Sequence, residues 1–351
     1  YWKSQATALK TLTSGLWGYI SNSANIEKNQ KASRYYASHV ADMILQESRR
    51  KSLTLKQFIE STKILGKDYE VVYGDTDASL IQSEEEAGQN FKSVDPQAIA
   101  DEVNVFLQRT SDEDNYPYPI LVKPELMYDR LCLVGKKYYY GRVIWEDGDY
   151  LNEPRFDIKG MQTKRGDNSQ LSKDVQLQLI KNHLEFGEDG IFDTINITRM
   201  IIHTSLEKMK ELNFDEDVFY FLKAIAKPLK IKKPFNQYKS PLWRKYQDAC
   251  ESWNHYVKIN GYGVSNILQQ NTNGYLLEVK YCDIDGLDLK NQYLAFSDPE
   301  LIDWSKVQID IVNILEKTIF QKIKNILTSL GYSTTQIQSA SKGRRVKNEF
   351  F

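Results

Sequence analysis

Two short apolar runs, Tyr69-Glu70-Val71-Val72-Tyr73 and Ala78-Ser79-Leu80-Ile81, flank the tetrad Gly74-Asp75-Thr76-Asp77. Valine, isoleucine and tyrosine favour a pleated strand, and glycine with aspartate favours a tight reversal, so this stretch is expected to be a β-hairpin. Gly74 is read as the residue that permits the turn. The apolar flanks bury the hairpin and leave its acidic tip at a core edge, where carboxylates need a partner. Two aspartates at i and i+2 on or beside a strand end point to one side. Such a pair can hold divalent cations through hard oxygen ligands. Two metals about 3.5–4 Å apart stabilise the attacking and leaving oxygens of phosphoryl transfer. The same tetrad also suits a plain turn, because aspartate and glycine are common in turns for local hydrogen-bonding reasons.

Around the hairpin the pattern is mixed. Helical periodicity covers residues 3–20, 27–50 and 54–64, with a basic turn at Arg49-Arg50-Lys51 between the last two, and resumes over 95–109. Residues 117–160 change character: Ile120-Leu121-Val122, Leu131–Val134 and Tyr138-Tyr139-Tyr140 read as strands, with turns at Gly135 and Glu146–Asp149. From about residue 169 the pattern is mostly helical, over 171–186, 191–212, 215–226, 243–253 and 305–330, with one strand at Tyr275–Tyr281. The fold class is therefore α+β: an antiparallel sheet and hairpin with packed helices, followed by a mostly helical domain. With 351 residues, two or three domains are expected at roughly 150 residues each.

Three further segments, in order around the hairpin, carry a resemblance. Lys10-Thr11-Leu12-Thr13-Ser14-Gly15-Leu16-Trp17-Gly18-Tyr19 precedes it. Lys136-Lys137-Tyr138-Tyr139 follows, led by Lys123, Glu125, Tyr128 and Leu131–Val134, and then Asp157-Ile158-Lys159-Gly160 runs on to Arg165, Asp167 and Ser169. With Tyr73-Gly74-Asp75-Thr76-Asp77, this series resembles the family B (alpha-like) DNA polymerases: fingers helix, catalytic palm hairpin, lysine motif of the palm, and the junction of palm and thumb. The resemblance covers nearly the whole chain, with its firm motifs between residues 10 and 169, and the source it suggests is divergent and viral.

The resemblance implies roles. Asp75 and Asp77 are the catalytic residues and ligands of two magnesium ions, Asp77 being the stronger candidate for a direct ligand. Lys10, Ser14 and Trp17 bind the incoming deoxynucleoside triphosphate, where Lys10 is a compact charge for phosphate oxygens. Lys136, Lys137, Tyr139, Lys159 and Arg165 contact primer–template DNA. Ser14, Gly15, Trp17 and Ala78 depart from the family pattern. They motivate a rival reading, a catalytically inactive DNA-binding subunit derived from a polymerase. The implied domains are 1–65 (end of fingers and palm helices), 66–168 (palm), 169–335 (thumb) and 336–351 (a disordered basic tail). The first residue is Tyr, so the chain reads as part of a longer protein. The other metal-binding aspartate and the exonuclease domain are then expected upstream or on a complementary chain.

Composition fits this reading. Lys+Arg is 46 and Asp+Glu 47, a net charge of -1, so a basic groove must be local and offset elsewhere, in part by Glu84-Glu85-Glu86. Lys223, Lys227, Lys230, Lys232, Lys233, Lys239, Arg244 and Lys245 make such a stretch, interleaved with Phe235, Tyr238 and Trp243. It suits either a phosphate-tracking surface or a solvated loop. Cys132, Cys250 and Cys282 have neither disulfide nor metal spacing, which fits a reducing compartment, and the resemblance implies an intracellular location, a nucleus or a viral replication site. His39, His183, His203 and His255 read as structural. No apolar run reaches the roughly 18 residues of a membrane span.

Overall fold

The structure is a computed structural model that describes residues 11–12, 15–22, 31–34, 36–75, 78–83, 94–161, 168–211, 214–314, 316, 320–333 and 335. The chain is α+β and divides into two compact units, Tyr1–Met127 with Trp145–Tyr150, and Tyr128–Ile144 with Leu151–Phe351.

In the first unit residues 15–21 are helical. Helix α1 (Ser38–Ser61) then runs unbroken through the basic triplet expected to be a turn. The reason is tertiary. Lys51 Nζ and an Arg50 guanidinium nitrogen each lie 2.6 Å from Asp114, and Arg50 also pairs with Glu47 at 2.6 Å. The triplet therefore clasps a neighbouring element instead of reversing the chain. That element is α2 (Pro96–Glu113), where Asp95 caps the first turn by accepting from the Gln97 and Ala98 N–H groups. Ile99, Val103 and Leu107 form its inner stripe at four-residue spacing and pack with Ile59 and Ile64. Phe58 stacks on Phe106 with ring centres 4.0 Å apart. The hairpin strands β1 (Tyr69–Asp75) and β2 (Ala78–Ser83) lean on this core through Val71 and Ile81. The run expected as a strand at Ile120–Val122 is irregular backbone. The Asn104 side chain binds both backbone groups of Val122 at 2.8 Å, taking the place of a strand partner.

Strands β3 (Leu126–Gly135), β4 (Tyr138–Glu146) and β5 (Asp149–Lys159) form a sheet in that order. Two-residue turns join them, as only antiparallel neighbours allow.

The rest of the second unit packs helices α3 (Gln170–Phe186), α4 (Glu188–Lys210), α5 (Glu216–Ile225) and α6 (Pro241–Ile259) with a second sheet. In that sheet β7 (Asn273–Cys282) is central, pairing with β6 (Lys227–Lys230), β8 (Tyr293–Phe296) and β9 (Val307–Ile309). Leu179, Leu222, Trp253, Leu277 and Phe296 are fully buried in its core. The helix expected over 305–330 is replaced by β9, α7 (Ile311–Ile314) and α8 (Gln321–Ser329). Among the described residues no helix is long and apolar enough to cross a membrane.

Candidate functional site

The acidic hairpin is built as its sequence dictates. Val71 faces Ile81, Tyr73 faces Leu80, Gly74 faces Ser79, and Asp75 faces Ala78 in the last described pair. The register shifts between Val71 and Tyr73, so one extra residue, Val72, bulges from β1. Beside the bulge, the Val71 N–H donates to the Glu60 carboxylate of α1 at 3.3 Å, which ties the hairpin to its helix. Asp75 is half-buried at the strand end. Its partner in the tetrad, Asp77, lies outside the described residues, as does Thr76. Gly74 corrects an expectation: a Cβ there would meet only the Ala78 carbonyl at 3.8 Å, an ordinary contact. The local backbone does not require glycine at this position.

Trp17 belongs to the same unit, on the helical stretch 15–21, with 40% of its surface exposed. Lys10, Ser14 and Arg165 lie outside the described residues.

The lysine motifs meet in the second unit. Lys136 and Lys137 form the two-residue turn between β3 and β4, both exposed, with Lys137 in the left-handed region at φ 60°. Lys159 ends β5, and Gly160 follows it at φ 71°. A Cβ on Gly160 would lie 2.0 Å from the Lys137 carbonyl oxygen, so the two turns are in backbone contact only because this residue is glycine. Motifs 22 positions apart in the chain are thereby brought to one end of the sheet. Tyr139, half-buried on β4, belongs to the same end. Ser169, the last residue of the junction segment, is 3% exposed and caps α3 by accepting from the Ser172 N–H at 3.3 Å. Its role is structural.

Asp157, to which sequence reasoning gave no role, is the buried carboxylate of this sheet end. It accepts from the Tyr128 hydroxyl at 2.8 Å and lies 3.2 Å from Lys159 Nζ.

The basic stretch between α5 and α6 divides its residues. Lys227 is half-buried, 3.2 Å from the Tyr246 hydroxyl. Tyr238 stacks on Trp243 at 3.9 Å, and Lys233 Nζ lies over the Tyr238 ring at 4.7 Å. The aromatics fasten this loop to itself, while Lys230, Lys232, Lys239, Arg244 and Lys245 are exposed.

As for metals, the Asp75 carboxylate is a hard oxygen donor of the kind magnesium takes, placed at the hairpin end. Among the described residues no three His, Cys, Asp or Glu side chains group into a metal-binding cluster. The donor type fits the ion.

Comparison with known proteins bears on all of this. Over 173 residues, 49% of the chain, it is 27% identical to a DNA polymerase of Archaeoglobus fulgidus, covering 17% of that protein. Over 179 residues, again 49% of the chain, it is 25% identical to the catalytic chain of DNA polymerase alpha from Saccharomyces cerevisiae, covering 11% of it. Over 164 residues, 46% of the chain, it is 32% identical to the catalytic chain of DNA polymerase zeta from the same yeast, covering 9%. The matched stretch thus spans less than a fifth of each relative's length. The model of DNA polymerase family B matches residues 2–330, and the chain belongs to that family.

Proposed function

We propose that this chain is the palm and thumb portion of a template-directed DNA polymerase. In this reading residues 1–65 end the fingers and supply palm helices, 66–168 are the palm, 169–335 the thumb and 336–351 a basic tail. A primer 3′-hydroxyl attacks the α-phosphate of a deoxynucleoside triphosphate; a new P–O bond forms, the bond to the β-phosphate breaks, and pyrophosphate leaves. Asp75 and Asp77 hold magnesium, which when bound supplies Lewis-acid stabilisation to the oxygens of the transfer. Lys10 offsets triphosphate charge, and Ser14 and Trp17 line the nucleotide. Lys136, Lys137, Tyr139, Lys159 and Arg165 grip the duplex. The upstream part of the polymerase, or a complementary chain, supplies the remaining catalytic groups, and the work takes place where DNA is replicated, in a nucleus or at a viral replication site.

The observation that carries the reading is the hairpin. Its ladder closes at Asp75–Ala78 above a half-buried apolar stem, with Asp77 between these two in sequence, in a chain of family B. Because this catalysis rests on positioning and electrostatics, losing one ligand is severe. The test is single-nucleotide primer extension and duplex binding, measured together on full-length protein with Asp75→Asn. Lost extension with retained duplex binding supports the reading. Unchanged extension removes Asp75 from the machinery. Salt-sensitive duplex binding without extension in the unmutated protein favours the inactive DNA-binding subunit that Trp17 and Ala78 suggest.

A further inference from the structure

Asp157 is 7% exposed, and a carboxylate at that depth needs compensation. Its two partners come from different strands: the Tyr128 hydroxyl from β3, and the Lys159 ammonium from two residues along β5. Strand β4 lies between β3 and β5, so Tyr128 has to cross it. It crosses at Gly141. A Cβ on Gly141 would sit 2.5 Å from Cδ1 of the Tyr128 ring. The missing side chain on the middle strand is the notch in which the ring lies. Burial first, and the bond to Asp157 second, hold the Tyr128 hydroxyl far above the ordinary phenol range.

The arrangement ends at Lys159. Its side chain is 52% exposed, and an ammonium has three donor hydrogens. The ion pair with Asp157 does not exhaust them, so the ammonium can still donate to an external acceptor. Lys136 and Lys137 share this end of the sheet, through the Gly160–Lys137 contact. Three lysines thus share this sheet end with one buried carboxylate. A lysine stem already held in place loses less rotamer freedom when it docks.

Resting on the polymerase reading, we propose that Tyr128 and Asp157 are positioning residues: seated over Gly141, they aim the Lys159 ammonium at a phosphate of the nucleic-acid backbone. The competing role is that Asp157 merely neutralises Lys159, and the two roles predict opposite signs.

The experiment measures primer–template affinity against sodium chloride concentration with full-length protein. Lys159→Ala weakens binding and lowers the slope of log affinity against log salt by about one. Tyr128→Phe weakens binding about three- to tenfold, the scale of one coupled contact, and has no further effect in the Lys159→Ala background. Asp157→Asn also weakens binding, although it removes a negative charge from a DNA-binding surface. Tighter binding by Asp157→Asn overturns the proposal. So does a Tyr128→Phe loss that persists unchanged without Lys159, since that marks a structural role. A Lys159→Ala variant with wild-type affinity and slope overturns it too, and leaves the polymerase reading to stand or fall on Asp75 and Asp77.

Discussion

Gly160 shows how much one residue can decide. Its φ of 71° is costly for any side chain, and its Cα stands against the Lys137 carbonyl. Gly160→Ala is therefore expected to destabilise the protein by about 1–3 kcal/mol, read from chemical denaturation. It should also separate the two lysine turns, so duplex affinity falls along with stability. An alanine that leaves both unchanged contradicts the contact. Gly74 makes the contrast, because Gly74→Ala has room and an ordinary backbone and should cost far less. From sequence Gly74 stands out as structurally needed, on the strength of its place in a turn. The demand on Gly160 comes from a carbonyl 23 positions away, which no local pattern shows.

At the scale of elements, the clasp between α1 and α2 is the clearest electrostatic device. Glu47 is bonded by Arg50 and by the Tyr116 hydroxyl, and these hold its carboxyl down to about 2 from the ordinary 4.5. A lowered folded-state pKa stabilises above the ordinary carboxylate range and is lost as pH falls from about 4.5 toward 2. Glu47→Gln should thus lower Tm at pH 7, and the gap from wild type should close as the pH is lowered through that window. A gap independent of pH contradicts the clasp. The pair is exposed, so its contribution should be small and reduced by salt.

Elements also mark where sequence reading succeeds and fails. The hairpin, strands β3 and β4 and helices α2 to α6 follow from period and punctuation, whereas β5 goes unread. The clasp hid the continuity of α1, because Arg49-Arg50-Lys51 looks like a solvated turn until Asp114 is known to face it. Strands β6, β8 and β9 have four, four and three residues, too short for an alternation to register. The first of them, Lys227-Pro228-Leu229-Lys230, sits inside the basic stretch and reads as a loop.

For the molecule as a whole, the larger hydrophobic core among the described residues lies in the second unit. Trp253 is fully buried and donates its indole N–H to the Asn266 carbonyl at 2.7 Å. Trp253→Phe leaves that carbonyl unpaired beside a smaller ring, and should cost about 1–3 kcal/mol in the unfolding free energy. A change under a few tenths would mean the site relaxes around the loss. The candidate site divides along similar lines. Asp75, Lys136, Lys137 and Lys159 stand out as candidates because their motifs are compact in sequence, whereas the contact among Tyr128, Asp157 and Gly141 spans three strands and exists only once the sheet forms. Whether the acidic hairpin drives nucleotide transfer comes down to magnesium-dependent extension of a primer by one nucleotide. Full-length wild type and Asp77→Asn would be compared at saturating DNA and nucleotide. Extension is expected from the wild type, with a loss of at least about a thousandfold in Asp77→Asn and duplex binding nearly intact. Extension by Asp77→Asn at the wild-type rate would contradict that role for the hairpin.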